Sequence, residues 1–169
     1  NENHNSGLQL ITIKAPRSIL SEAYRTLRTN MGFVGMERPF HTIMVTSAAA
    51  KDGKSTVVSN LAVVAAQAGN KVLLVDCDLR KPVQHKLFQL PNYTGLTTCI
   101  LAQVEPENVV QPTNVENLKV LTSGPIPPNP AELVNAEWTR LMWAQLLSVY
   151  DYVFVDSPPV LEVADASIL

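Results

Sequence analysis

The stretch SAAAKDGKST, residues 47–56, sets a glycine, a lysine and two hydroxyl residues in unbroken order at 53–56. In the P-loop pattern G-x-x-x-x-G-K-[ST], the glycines let successive backbone N–H groups curl around phosphate oxygens, and the helix that follows adds its N-terminal dipole. Position 48, where that pattern has its first glycine, is Ala48 here. The half that carries the chemistry is intact. Asp52, Gly53, Lys54, Ser55 and Thr56 form the candidate nucleotide-binding segment, with Lys54 placed to reach the β and γ phosphates and Ser55 to set a hydroxyl on Mg²⁺. An alanine costs little wherever φ stays negative, so the substitution asks only whether the loop needs a left-handed residue at position 48.

The neighbouring sequence decides whether the match has the right setting. Three short apolar runs, HTIMVTS (41–47), KVLLVDCD (71–78) and DYVFVDS (151–157), are rich in Val, Ile and Leu without strict alternation. Strands buried on both faces of a parallel sheet read this way. KSTVVSNLAVVAAQAGN (54–70) has the length and alanine content of a helix that ends at a C′ glycine, Gly69. Strand, glycine loop, helix and strand make one βαβ unit.

Elsewhere, LKVLTS (118–123) predicts a fourth strand, and Asn129, Pro130 and Glu132 sit at N-cap, N1 and N3 of a helix running toward Tyr150. Upstream, Leu20, Ala23, Tyr24, Leu27 and Met31 fall on one helical stripe that Gly32 and Gly35 are expected to close. Residues 1–15 read as a loosely held arm, in which LQLITI either adds a short edge strand or trails. One α/β domain over residues 16–169 is therefore expected, P-loop NTPase-like, with a mostly parallel sheet flanked by helices. The closing EVADASIL reads as a helix beginning, so the domain is expected to be truncated at its C-terminal end.

Three carboxylates fall at strand tips. VLLVDCDLRKP leaves Asp76 and Asp78 at the carboxyl edge of one strand, and YVFVD leaves Asp156 at another. Ligands of open α/β sheets bind beside those edges. An aspartate after a strand also caps turns, but three of them beside a GKST loop form a cluster that turn chemistry alone explains poorly.

Composition narrows the function classes. A net charge of −2 argues against binding nucleic acid by charge. The two cysteines, Cys77 and Cys99, have neither metal-ligand spacing nor a disulfide framework and read as small buried residues. No apolar run approaches the roughly 18 residues of a membrane span, and the polar start is unlike a secretory signal.

Taken together, these segments resemble the bacterial tyrosine kinases that control capsule and exopolysaccharide synthesis. TSAAAKDGKST looks like their Walker A motif, VLLVDCDLRKP like their Walker A′ motif and YVFVDSPP like their Walker B motif, in the family's order. LTSGPIPPNPAEL and the E-x-x-R-x-x-R of EAYRTLR are also similar to family segments, so the resemblance covers about residues 16–169. It implies ATP and Mg²⁺ as cofactors, with Lys54 clamping the phosphates and Ser55, Asp78 and Asp156 holding the metal. Asp76 becomes a candidate base for the attacking tyrosine, the division of labour between Asp76 and Asp78 staying open. Arg80 could neutralise phosphate charge. Glu22, Arg25 and Arg28 would lie at the interface of a ring-shaped oligomer. A cytoplasmic enzyme is implied, held at the inner face of the membrane by the tail of a membrane activator.

Two departures matter. Related kinases end in a tyrosine-rich tail, whereas Tyr24, Tyr93, Tyr150 and Tyr152 are scattered here. The elements that enclose adenine in the family do not follow ADASIL. The competing reading is a switch ATPase resembling ParA or MinD, whose signature lysine would fall on Ala49. A scaffold without catalysis is disfavoured by the intact Lys54, Ser55, Asp76, Asp78 and Asp156.

Overall fold

The apolar runs form parallel strands. In the computed structural model, which describes residues 10–49, 51–126 and 137–159, β1 (Thr42–Val45), β2 (Val72–Asp76), β4 (Leu118–Leu121) and β5 (Tyr152–Asp156) lie side by side, and β3 (Gln111–Pro112) runs antiparallel on the edge of β4. The order is β1-β5-β2-β4-β3, so β5 inserts between the two strands of the first βαβ unit. Register does the positioning: Asp156 is level with Val45 of β1 on one side and with Asp76 of β2 on the other.

Helices cover both faces. On one side α3 (Lys54–Gln67) packs Val58, Leu61, Ala62 and Ala65 onto Val72, Leu74, Val120 and Phe154. On the other, α5 (Leu96–Ala102) and α6 (Glu137–Val149) bring Leu96, Cys99, Ile100, Met142 and Leu146 against Leu73, Val75, Leu121, Val153 and Val155. Alternate residues of β2 thus enter different cores, which is why its sequence shows no alternation. Both cysteines are free and buried, and burial pushes the Cys99 thiol up to about 11. Gly69 takes φ +94° just past α3, in its expected C′ role. The proposed helix start at Asn129 to Glu132 lies outside the described residues.

Three expectations need correction. Ile11–Lys14 is a helical turn, α1, rather than an edge strand or a trailing segment: Thr12 is fully buried and donates from both its N–H and its hydroxyl to Asn60 Oδ1 of α3, at 3.0 and 2.7 Å. The next helix, α2 (Ile19–Glu37), starts at an N-cap Ser18 that accepts from Ser21 N and runs through both glycines. It ends at Arg38, the residue before Pro39, where the proline ring disfavours helical geometry. The missing Cβ of Gly35 leaves room for the Phe40 ring, 3.3 Å from where that Cβ would stand. Finally, Tyr24 and Met31 pack on the core as expected, but Leu20 and Leu27 face solvent at 62% and 41% exposure.

Candidate functional site

The loop 46–53 connects β1 to α3 and is braced by its own side chains. Asp52 Oδ2 accepts from Ala49 N at 3.0 Å, Ser47 donates to the Ala49 carbonyl at 2.7 Å, and Thr46 donates to the Pro158 carbonyl beyond β5 at 3.0 Å. Among the described residues of the loop, φ is positive only at Lys51 (70°) and Gly53 (90°). Ala48 is not among them, so the alanine that replaces the pattern's first glycine carries no left-handed strain. The strain sits at Lys51 instead. Lys51→Gly is expected to raise stability by about 0.5–1 kcal/mol and Lys51→Val to lower it by at least as much, read from the urea midpoint at constant slope.

Lys54 opens α3 and folds its ammonium over the strand tips. Nζ lies 2.8 Å from Asp78 Oδ2 and 3.8 Å from Asp156 Oδ1, with Ser55 Oγ at 3.4 Å. Burial alone would lower the proton affinity of Lys54, but the hydrogen bond to Asp78 and the charges of Asp156, Asp78 and Asp76 outweigh it and the net shift is upward. Lys54, Ser55, Asp76, Asp78 and Asp156 are thus one cluster. Asp52, Gly53 and Thr56 flank it on the loop and helix. Arg80 is exposed.

The carboxylates divide by environment. Asp76 is fully enclosed; its Oδ2 accepts from Val83 N and Gln84 N at 3.1 and 3.0 Å, and its Oδ1 accepts from Asp78 N at 3.3 Å. Burial, then the charge of Asp156, raises its pKa well above the usual carboxylate range, with the Gln84 N–H pulling the other way. Asp78 uses Oδ1 to accept from Lys81 N at 3.0 Å, leaving Oδ2 to Lys54. Asp156 is raised by burial and held back first by the Lys54 charge and then by the hydrogen bond from Gln84. Its Oδ1 is buried without a hydrogen-bond partner.

A raised carboxyl stabilises the fold at acid pH and withdraws that stability as pH climbs through the folded pKa, because the unfolded chain then ionises more readily than the native one. Asp76→Asn cannot ionise. Its melting temperature, measured without Mg²⁺ or nucleotide, is therefore expected to gain on that of the unaltered chain as pH goes from about 4 to about 8. A gap that stays constant would show that Asp76 has ordinary acidity in the native state.

The donor set fits a hard dication. Mg²⁺ is commonly held through one or two carboxylates together with phosphate oxygens rather than by an all-protein cage. Ser55 Oγ, Asp78 and Asp156 offer such oxygens, and the unpartnered Oδ1 of Asp156 is a buried acceptor that a cation would satisfy. Among the described residues no group of three or more His, Cys, Asp or Glu could enclose a metal alone, so water or phosphate oxygens would complete the shell.

Sequence reasoning missed Gln84. It is fully buried at the start of a short helix, α4 (Gln84–Leu87), and its Nε2 donates to Asp156 Oδ2 at 2.8 Å. No motif marks it; the one available signal was its place eight residues after Asp76, just past the Walker A′ segment.

The Glu22, Arg25 and Arg28 set lies on α2. Glu22 pairs with Arg25, which also donates to the Pro16 carbonyl at 2.7 Å, and Arg28 donates to the Val64 carbonyl of α3 at 3.0 Å.

Comparison with known proteins places the chain. The family model described as AAA domain matches residues 40–169. The tyrosine-protein kinase YwqD of Bacillus subtilis (strain 168) is 49% identical over 99% of this chain and 72% of its own length. This chain belongs to the bacterial tyrosine-protein kinases. The solved kinase domain of the Escherichia coli tyrosine kinase ETK agrees, with a TM-score of 0.90 and 36% identity over 98% of this chain and 66% of that domain. The switch-ATPase reading fares less well: MinD from Pyrococcus horikoshii, solved with Mg-ADP, reaches a TM-score of 0.59 at 25% identity over 70% of this chain and 49% of its own. A P-loop fold is shared with MinD, whereas the match to these tyrosine-protein kinases runs over nearly the whole of this chain. No described helix of this family member is long and apolar enough to cross a membrane.

Proposed function

We propose that this chain is the phosphoryl-transfer domain of an ATP- and Mg²⁺-dependent protein-tyrosine kinase that phosphorylates itself and regulates capsular or exopolysaccharide synthesis and export. The observation that carries it is the convergence of Lys54 with Asp78 and Asp156 at adjacent strand tips, over the mouth of the loop at 46–53. In such a site a tyrosine oxygen forms a bond to the γ-phosphorus while the bond to the β–γ bridging oxygen breaks, leaving ADP. Lys54 follows the charge that spreads over the γ oxygens, the loop's N–H groups and the α3 dipole hold the β-phosphate with Thr56 in the first turn of α3, and Asp52 and Gly53 set the loop's path. Ser55, Asp78 and Asp156 would hold Mg²⁺, which would supply positive charge to offset that of the phosphates.

The proton of the tyrosine hydroxyl goes to a carboxylate, and Asp76 has the raised proton affinity that suits this role. Its Oδ1, which accepts only from Asp78 N, keeps a lone pair for that proton. Asp78 serves the metal and Lys54. Self-association into a ring through α2 is supported by the row Leu20, Leu27 and Val34, each exposed and seven residues apart on the helix that carries Glu22, Arg25 and Arg28. Residues 16–169 constitute the kinase domain in this reading, and it works in the cytoplasm, peripheral to the membrane through the tail of a membrane activator. The −2 charge of the chain accords with a role that involves no nucleic acid.

The test uses the full-length protein with γ-labelled ATP and Mg²⁺, with and without the cytoplasmic tail of the candidate membrane partner. Label on tyrosine, increased by the tail, is the expected result. Steady release of free phosphate with no labelled protein would overturn the kinase reading in favour of a switch ATPase.

A further inference from the structure

Three segments that meet at the site converge on one side chain that no motif includes. Gln84 has no solvent exposure, and every polar atom of its amide is used. Nε2 donates to Asp156 Oδ2 at 2.8 Å and to the Ser55 carbonyl at 3.4 Å, while Oε1 accepts from Ser59 Oγ at 2.7 Å. Its backbone N–H donates to Asp76 Oδ2 at 3.0 Å. The amide sits this way round because the Ser55 carbonyl, which Nε2 also reaches, can only accept.

The consequence falls on Asp156. With Oδ2 claimed by Gln84, the carboxylate cannot rotate without breaking a buried hydrogen bond, and Oδ1 is left as the single oxygen facing the Lys54 ammonium at 3.8 Å. The same amide tethers the Ser55 carbonyl, and so the first turn of α3 from which the Ser55 hydroxyl projects. Two of the three oxygen donors assigned to Mg²⁺ are therefore set by one glutamine.

We propose that Gln84 is a positioning residue for the divalent-cation site: it aims Asp156 Oδ1 and Ser55 Oγ at the cation and so determines how strongly Mg²⁺ tightens nucleotide binding. This rests on the nucleotide–metal reading of the site but not on which group receives the phosphate. Gln84 touches neither nucleotide nor metal and acts through Asp156 and Ser55.

The test is a titration of the full-length protein with a fluorescent ADP analogue, once in EDTA and once in excess Mg²⁺, with thermal melts of each variant. In Gln84→Met, which fills the volume without the amide, the Mg²⁺-dependent gain in affinity is expected to shrink by about tenfold, equivalent to about 1.4 kcal/mol, with affinity in EDTA within about twofold of the unaltered protein. Gln84→Asn keeps an amide too short to reach Asp156, and should show the same loss if the methionine variant folds poorly. Val63→Ala removes buried apolar volume from α3 outside the site; it should lower the melting temperature and leave the Mg²⁺ effect whole. A full Mg²⁺ effect in folded Gln84→Met, or equal losses in EDTA and Mg²⁺, would overturn the positioning role. If the unaltered protein itself showed no Mg²⁺-dependent binding, the metal-site reading would fall, and this inference with it.

Discussion

Lys54→Met is expected to abolish phosphotyrosine formation, by about a thousandfold or more. The lysine pairs with Asp78 and lies within salt-bridge reach of Asp156, so its loss removes a positive charge placed to follow charge onto the γ-phosphoryl oxygens. Methionine keeps the length and apolar stem and removes only the charge and its donors. The substitution also acts on the fold. Its ammonium offsets a cluster of buried carboxylates, and breaking a buried ion pair costs about 3–5 kcal/mol when the surviving charge has no relief. Here relief exists, because Asp76 and Asp156 already favour protonation and can shed charge. A loss of about 2 kcal/mol is expected instead. The raised Lys54 pKa makes that contribution complete at neutral pH, to be lost only as pH climbs above the ordinary lysine range. Mg²⁺ added without nucleotide should raise the melting temperature of Lys54→Met more than that of the unaltered chain, since it supplies the missing positive charge. An equal response in both would mean that the carboxylates do not form a common cation site.

Much of this geometry was legible because it depends on local rules. The strand positions, the helix after the loop and the aspartates at strand tips follow from apolar runs and their ends, and the P-loop pattern carries its own mechanism. Where sequence reasoning failed, partners distant along the chain decided. The helical turn Ile11–Lys14 exists because Asn60, 48 residues away from Thr12, offers a buried acceptor. The α2 helix tolerates two glycines because propensity is a weak force beside the packing of Tyr24 and Met31, and because Phe40 uses the space at Gly35. The insertion of β5 between β1 and β2 brings Asp156 level with Asp76, and no pattern within either strand announces it. Gln84 was invisible for the same reason: its value lies in reaching Asp156, 72 residues on.

Gly95→Ala should be the most damaging alanine substitution among the described glycines. Gly95 has φ 173°, extended backbone open to any residue, so the constraint is space alone. A Cβ there would stand 2.2 Å from the Thr122 carbonyl oxygen and 2.4 Å from Gly124 N, both backbone atoms that cannot swing aside. The close approach has a purpose: Leu96 N and Thr97 N donate to the Thr122 and Ser123 carbonyls at 2.8 and 2.9 Å, so α5 is pinned to the chain leaving β4. Asn92 fastens the same turn, accepting from Gly124 N at 2.9 Å and donating to the Gly124 carbonyl at 3.1 Å. Forcing the two apart would cost these bonds and unseat Leu96 and Cys99 from the core, for a loss of about 3 kcal/mol. In a domain of this size that lowers the melting temperature by roughly 6–12 °C. Gly32→Ala is the matched comparison: its added Cβ meets nothing within 4 Å, and within α2 alanine should raise stability by about 0.5–1 kcal/mol. Opposite signs for the two substitutions would establish that close approach, rather than glycine content, holds the turn after β4. A native melt for Gly95→Ala would show that α5 can shift away from the chain leaving β4 without loss.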